Sequence, residues 1–583
     1  MQVSVRNMKM KWKNVQRVLY WTGIAILVFG PIIILGNLPG MYSDAVNPDY
    51  AALHVYNSQG SDHKKWMFAW PYLTQAYHGN LNVLISLLVI SITGTTSVLQ
   101  HHILNGTYFY VILILMFDIM KKCNIKDVIV RMILLVAASM TSIIIICITQ
   151  YYIELPGVIF WLLAISFLVK NIKEKGSISI KDSLIASTFM GLAFYCYFNF
   201  IFLLLPFMYI VVHNIKSDKI FLQRILSVVY GFLFGCSGYF LGYTQLYFDK
   251  YLQGKRMFLF VPFFYLMLIL GIWGMLSRKK EYILKTIGLN TVCVAVWGYC
   301  VMPIAINKMR GLNISGTEAN IWQRIVLIWQ YIKGIFSGYT GERLIYKTTV
   351  MKGMFFYLIV LFLVLIVVCF ICWKNSIVNK KSLKYLIIIS ISVIIYLVQC
   401  IIFATRMQAQ HMVPLLWIYF FVIAFGVDIG MRYGKEWIKY IIYVTIVVCI
   451  ALNLYNTSRV VSKIKDTGGN GLYSSQINVL AEEALKNKNM SRKEAYVFPE
   501  WGFFTGFVYL TMNEVPYTTF CHTGEWEKWI EEGYSIRICY WDENNQELYR
   551  MMLEECGYKK EEIQEYVKYE LSGDVAFYIM EGE

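Results

Sequence analysis

Charge is what this sequence has least of. Asp, Glu, Lys and Arg make up only 15% of its 583 residues, against 57% hydrophobic and 16% aromatic. Soluble domains carry about 25% charged residues, so an ordinary globular protein is excluded. The thirteen cysteines carry no ligand pattern. Many lie in apolar runs (Cys147, Cys293, Cys369, Cys449) and act there as small hydrophobes. Cys521, Cys539 and Cys556 near the C-terminus are odd in number and lack metal-ligand spacing, which argues against a disulfide framework or a zinc site. There is no tandem repeat and no low-complexity tract. The basic N-terminus precedes a long apolar run with no small-residue cleavage signature, so the first helix is expected to be retained.

What is present is a series of apolar runs, many reaching the roughly 18–20 residues needed to cross a ~30 Å hydrocarbon core. The expected fold is an all-α polytopic membrane bundle of about 13 transmembrane helices with a small α/β C-terminal domain. The net charge of +16 is uneven: from Asn456 onward there are 22 acidic and 13 basic residues, leaving +25 on the remainder. A basic membrane part, 1–455, and an acidic extracytoplasmic domain, 456–583, are therefore expected. The positive charge implies no nucleic acid, because cytoplasmic loops collect Lys and Arg. The first seventeen residues hold Arg6, Lys9, Lys11, Lys13 and Arg17 with no acid, which orients the N-terminus to the cytoplasm of a plasma membrane.

A second span at about 97–120 then makes every second loop basic: Lys121, Lys122 and Lys126; Lys170, Lys173 and Lys175; Lys216, Lys219 and Arg224; and so on to Arg432, Lys435 and Lys439. The first outer loop covers about 38–96, and its apolar stretch 81–92 is either interfacial or a span. One outer loop, 306–353, is basic against the pattern, with Arg310 and Arg324 among seven cations. It is either a solvated loop or a surface that holds phosphate. Beyond residue 456, helices are expected at 476–486 and 544–556 and strands at 496–498, 535–540 and 574–580. Pro499-Glu500-Trp501-Gly502 is expected to be a structural turn.

Candidate chemistry begins at Tyr42-Ser43-Asp44-Ala45-Val46-Asn47-Pro48-Asp49-Tyr50, directly after the first span. A carboxylate at Asp44, facing the largest outer loop, can accept a proton from an incoming hydroxyl. Asp49 follows Pro48, which favours an extended or turn geometry for Asn47; the plainer role for Asp49 is to cap a helix over 50–56. Glu154 stands alone in the short outer loop 150–156. It is either a solvated acid or the partner of Asp44, as second carboxylate or ligand of a divalent metal ion. Arg406 ends a late span, with His411 nearby; charge at that depth is costly and points to a held phosphate or an interfacial snorkelling side chain. Asp118 and Asp428 are expected to be paired, solvated charges. His101 and His102 have no third ligand and are expected to be structural.

This layout resembles the membrane glycosyltransferases of the GT-C fold, the group of protein mannosyltransferases and lipid A aminoarabinose transferases. The likeness rests on an inward N-terminus, a long first outer loop opening with an acid, about 13 spans and an outer C-terminal domain. It implies an inverting transfer of sugar from a polyprenyl-phosphate-linked donor to a cell-surface glycan, lipid or protein. By position, Asp44 resembles the acid that opens the first outer loop and Glu154 the acid between spans three and four. Arg406 resembles a late-helix Arg only loosely; with His411, Arg310 and Arg324 it would bind donor phosphate. Asp44 is followed by Ala45 instead of a second acid, so which carboxylate is the base, and whether metal is needed, stays open. The rival class is a transporter or lipid-linked glycan flippase. Transporters show internal repeats and midplane sites, whereas the midplane here is nearly bare of charge.

Overall fold

The basic N-terminus and the first apolar run form one helix, α1 (Gln2–Leu35), with no break between them. A computed structural model describes residues 2–58, 73–75, 78–149, 155–215, 221–251, 257–276, 319–337, 339–351, 356–374, 380–407, 409–519 and 523–582, with scattered positions between 281 and 303. The side chains of some residues inside helices, Asp44 and Arg406 among them, are outside that description.

After α1 come α2 (Ser43–Ser58), the ribbon β1 (Leu73–Gln75) and β2 (His78–Gly79), and α3 (Leu81–Thr93). The bundle continues with α4 (Val98–Lys122), α5 (Asp127–Ser139), α6 (Thr141–Thr149), α7 (Leu155–Lys175), α8 (Ile180–Cys196), α9 (Leu204–Asn214), α10 (Phe221–Gly235), α11 (Ser237–Tyr251) and α12 (Met257–Leu276). Next are α13 (Ile321–Ser337), α14 (Tyr339–Tyr346), α15 (Phe356–Lys374), α16 (Lys380–Ile402), α17 (Val413–Tyr433) and α18 (Glu436–Thr467). Six of these helices are long and apolar enough to cross a membrane, or eight if the bent pairs α5–α6 and α10–α11 each count once. The expected count of about 13 is not reached among the described residues. Several runs form bent or shorter helices instead, α3 among them at 13 residues. The segment 306–353, expected to be an outer loop, is not plain loop, since α13 and α14 lie in it.

Helix contacts follow membrane rules. Lipid offers no hydrophobic drive for helices to associate, so close approach of small residues does the holding. Ser183, Ser187 and Gly191 on α8 face Ser227, Gly231 and Gly235 on α10, and the hydroxyls of Ser183 and Ser227 are 2.7 Å apart. A Cβ on Gly235 would sit 2.1 Å from the Thr188 carbonyl oxygen, so only glycine fits. The start of α8 carries a capping box in which Ser179 and Asp182 satisfy each other's backbone N–H. Asp428 is paired, as expected, but buried rather than solvated. At 1% exposure it accepts from Arg432 Nε at 2.6 Å and from the Lys126 N–H at 3.1 Å, tying α17 to the turn before α5.

The C-terminal part contains a small sheet with helices, as the sequence suggested, and the sheet is mixed. Its elements are α19 (Gln476–Asn489), β3 (Glu494–Val497), α20 (Phe504–Leu510), β4 (Tyr517–Thr518), α21 (Thr523–Glu531), β5 (Ser535–Tyr540), α22 (Gln546–Glu555), β6 (Ile563–Tyr569) and β7 (Val575–Gly582). Strand order is β4-β3-β5-β7-β6, parallel across β4, β3 and β5 and antiparallel at β7. Glu500 closes the turn after β3 by accepting from the N–H of Trp541 at 2.6 Å and from Asn545 Nδ2 at 2.7 Å.

Two features join this sheet to the bundle. Helix α18 runs unbroken through residues 455 and 456 to a left-handed Gly468. One apolar core contains Met41, Val46, Leu53, Val83 and Val98 together with Leu480, Phe498, Phe507 and Phe577. The segment after α1 is thus packed into the C-terminal unit. Gly40 donates its N–H to Tyr473 O at 2.8 Å, Ser43 Oγ lies 2.7 Å from Thr505 Oγ1, and the hydroxyls of Tyr50 and Tyr517 are 2.8 Å apart.

Candidate active site

Helix α2 carries Asp44 and Asp49, the acids that follow the first span. It begins at Ser43 and runs through Pro48, so Asn47 is helical and Asp49 lies inside the helix rather than capping one. The proline sits only a turn and a half from the helix start, where its missing N–H removes a single ladder bond. Packing of α2 between α3 and α20 outweighs that loss.

Asp49 is 4% exposed, and its Oδ2 lies 2.9 Å from Nδ1 of His101 near the start of α4. The ring of Tyr509 from α20 stands 6.1 Å from that imidazole. Burial, and then the Asp49 carboxylate, hold the Tyr509 phenol well above its usual range. A small cavity of about 30 Å³ opens beside the pair, lined by Ala45, Pro48, Asn82, Asn105, Leu155 and Pro156 with Asp49 and His101. That is roughly one water's share of liquid volume. Four elements meet there: α2, α3, α4 and the start of α7. Asn105 also donates to Cys147 O at 3.1 Å, which fixes α4 against α6.

A second group lies around the ribbon that precedes α3. Tyr195 donates its hydroxyl to Asn80 Oδ1 at 2.7 Å. The ring of His78 packs 4.6 Å from Tyr197, and Tyr197 lies 6.1 Å from His411. Burial, with His411 as a lesser cause, pushes His78 down to about 3, so it is neutral at physiological pH. Tyr396 donates to the His411 carbonyl at 3.0 Å. Helix α13 packs against the turns 404–406 and 409–412. Arg324 on α13 donates from Nε to Ala319 O at 3.0 Å and from a terminal nitrogen to Ile402 O at 2.8 Å. Both bonds are to backbone, and they hold α13 beside the turn that contains Arg406.

Among the residues expected from sequence, Asp49, His411 and Arg324 are therefore described, Asp49 with His101 and Arg324 with the 404–412 turns. Asp44 and Arg406 are placed by backbone only; Glu154 and Arg310 lie outside the described residues. His101 was expected to be structural, and its pairing with Asp49 was missed. The available signal was an ionisable residue at the edge of an apolar span. Among the described residues no group of three or more His, Cys, Asp or Glu could hold a metal ion. Asp49 and His101 supply one carboxylate and one imidazole, fewer than a metal site needs, and each occupies the other.

Three solved structures align with most or part of the fold. The oligosaccharyltransferase of Archaeoglobus fulgidus in its apo form aligns over 96% of this chain and 74% of its own, at 11% identity and TM-score 0.44. ArnT from Cupriavidus metallidurans aligns over 98% of both chains, at 10% identity and TM-score 0.42. The S. cerevisiae protein O-mannosyltransferase Pmt1-Pmt2 complex bound to its sugar donor aligns over 40% of this chain and 34% of its own, at 14% identity and TM-score 0.27. At these scores no activity, ligand or residue role passes from them to this chain. No family model and no curated protein matches the sequence.

Proposed function

We propose that this chain is an integral membrane glycosyltransferase. It moves a sugar from a polyprenyl-phosphate donor to a cell-surface acceptor at the outer face of the membrane. The observation that carries the reading is the shared cavity: Ala45, next to Asp44, and Leu155, next to Glu154, line one space at one end of the bundle. Helix α2, which carries Asp44, and the start of α7, which follows Glu154 in the sequence, converge there.

In the proposed reaction Asp44 accepts the proton of the acceptor hydroxyl as its oxygen bonds to the anomeric carbon. The bond from that carbon to the phosphate oxygen breaks on the opposite face, so configuration inverts and polyprenyl phosphate leaves with the electron pair. Arg406, His411, Arg310 and Arg324 would stabilise the charge developing on the leaving phosphate. The contact series from His78 through Tyr197 to His411 joins the ribbon before α3 to the 404–412 turns. Asp44 and Glu154 are the residues that would hold a divalent cation. Asp49 is assigned a positioning role, because its carboxylate is engaged with His101. The N-terminus is cytoplasmic and the C-terminal sheet extracytoplasmic in this reading.

The test is sugar transfer in membranes supplied with a panel of radiolabelled lipid-linked sugars. Transfer by the unmodified chain, lost in Asp44→Asn and in Glu154→Gln, supports the reading. Movement of a lipid-linked sugar across the bilayer without any new glycosidic bond would favour a flippase instead.

A further inference from the structure

At the other end of the bundle, away from the acids, lies a cavity of about 400 Å³. Its wall is apolar, with Trp161, Ile165, Phe207, Ile389, Phe421 and Phe425 contributed by α7, α9, α16 and α17. Its polar lining is confined largely to the ends of those helices and to the turn after α4: Lys122, Asn124, Lys173, Asn214 and Tyr385. A space that is greasy along its length and basic at its mouth has the polarity of a single anionic lipid. Its volume falls within the ~300–1,000 Å³ typical of ligand sites between helices.

Of the two cations that line the mouth, Lys122 is paired and Lys173, among the described residues, is not. Lys122 Nζ is held by the Asp118 carboxylate and by Ser166 Oγ at 2.9 Å. Lys121 is paired with Asp127 at 3.0 Å and Lys175 with Asp182 at 3.2 Å. Lys173 is exposed and makes no ion pair among the described residues. The mouth is also preorganised. Arg432, anchored on Asp428, donates to the carbonyl of Asn124 at 2.7 Å and fixes the turn that borders the opening.

We infer that this cavity is a binding site for one anionic phospholipid, with its phosphate against Lys173 and Lys122 and an acyl chain between α7, α9, α16 and α17. Occupancy would link helices that otherwise leave a gap, and so stabilise the fold by linkage. The site is separate from the proposed sugar-transfer site and does not depend on that reading.

The experiment uses the full chain, purified in a neutral detergent. Dioleoylphosphatidylglycerol, dioleoylphosphatidylcholine or inorganic phosphate is added in turn, and bound lipid is counted by native mass spectrometry. Phosphatidylglycerol is expected to be retained in preference to phosphatidylcholine. Lys173→Gln should weaken its retention about fivefold, the equivalent of ~1 kcal/mol for one basic side chain beside an anionic headgroup. Ile165→Trp, which fills the apolar wall, should weaken both lipids. Thermal unfolding without added lipid identifies a variant that has failed to fold, and the other variant then decides. Equal retention of the two lipids, or retention of phosphatidylglycerol unchanged in Lys173→Gln, would overturn the site. Inorganic phosphate that displaces the lipid as effectively as phosphatidylglycerol does would overturn the lipid assignment.

Discussion

Replacing Asp49 by Asn separates holding α2 in place from taking a proton. The carboxylate and the His101 imidazole are 2.9 Å apart, with side chains 6% and 4% exposed, so water does little to screen them. Side chains in contact within one buried polar pair couple by ~0.5–3 kcal/mol. Asn keeps the shape but not the carboxylate, so its cost should fall within that range. His101→Ala is harsher, because it also removes the buried ring and leaves the Asp49 side chain without its neighbour. Thermal unfolding in detergent reads both costs, and the double variant should show a coupling of ~0.5–3 kcal/mol between them. Sugar transfer, measured on the same preparations, should stay within about tenfold of the unmodified chain in Asp49→Asn, well short of the ~10²–10⁴ that loss of a general base removes. Loss of transfer with an unchanged unfolding temperature would make Asp49 itself the proton acceptor. Additive effects of the two substitutions would mean that the contact carries no energy.

Three further outcomes follow from the packing. Glu570 is buried, accepts from Ser474 Oγ at 2.8 Å, and is pushed up to about 7, chiefly by burial. A carboxyl whose folded value exceeds its unfolded one binds a proton in the native state first. Stability should therefore fall as pH rises from about 4.5 to 7, by about 2 kcal/mol, and Glu570→Gln should remove that part of the slope; identical slopes would contradict it. A Cβ on Gly40 would lie 1.9 Å from the Ser474 carbonyl oxygen. Gly40→Val should thus cost at least ~1–3 kcal/mol and expose the 471–475 turn to protease, whereas an unaltered digestion pattern would refute the clamp. Membrane-impermeant labelling of single cysteines introduced at 44 and 154 should modify both from the outer side, and reaction from opposite sides would remove the shared compartment.

Much of the architecture was readable from local pattern. A second span expected at 97–120 is α4 at Val98–Lys122, and the strand expected at 535–540 is β5 with the same limits. These elements are long or strongly alternating, so hydrophobic period alone defines them. The strand Ile563–Tyr569 was missed. It is an edge strand with only partial burial and carries Gln564, Glu565 and Lys568, so its period is blurred. Pro48 misled for a related reason: the proline rule is local, while the helix there is imposed by α3 and α20 packing on it. The position of His101 at the edge of a span was a local signal, but its partner was not legible, since that depends on how α2 lies against α4. The same holds for the core that joins Val46 and Leu53 to Phe498 and Phe507. A change of charge near residue 456 gives no hint that both sides of it share one apolar interior.

Transfer of sugar from a polyprenyl-phosphate donor, followed in membranes holding the unmodified chain or Asp44→Asn, tests the central claim most directly. The unmodified chain should form product, and the variant should form it at least a hundredfold more slowly, the lower end of what a general base supplies, while unfolding at the same temperature. A variant that transfers sugar at the unmodified rate would contradict the account.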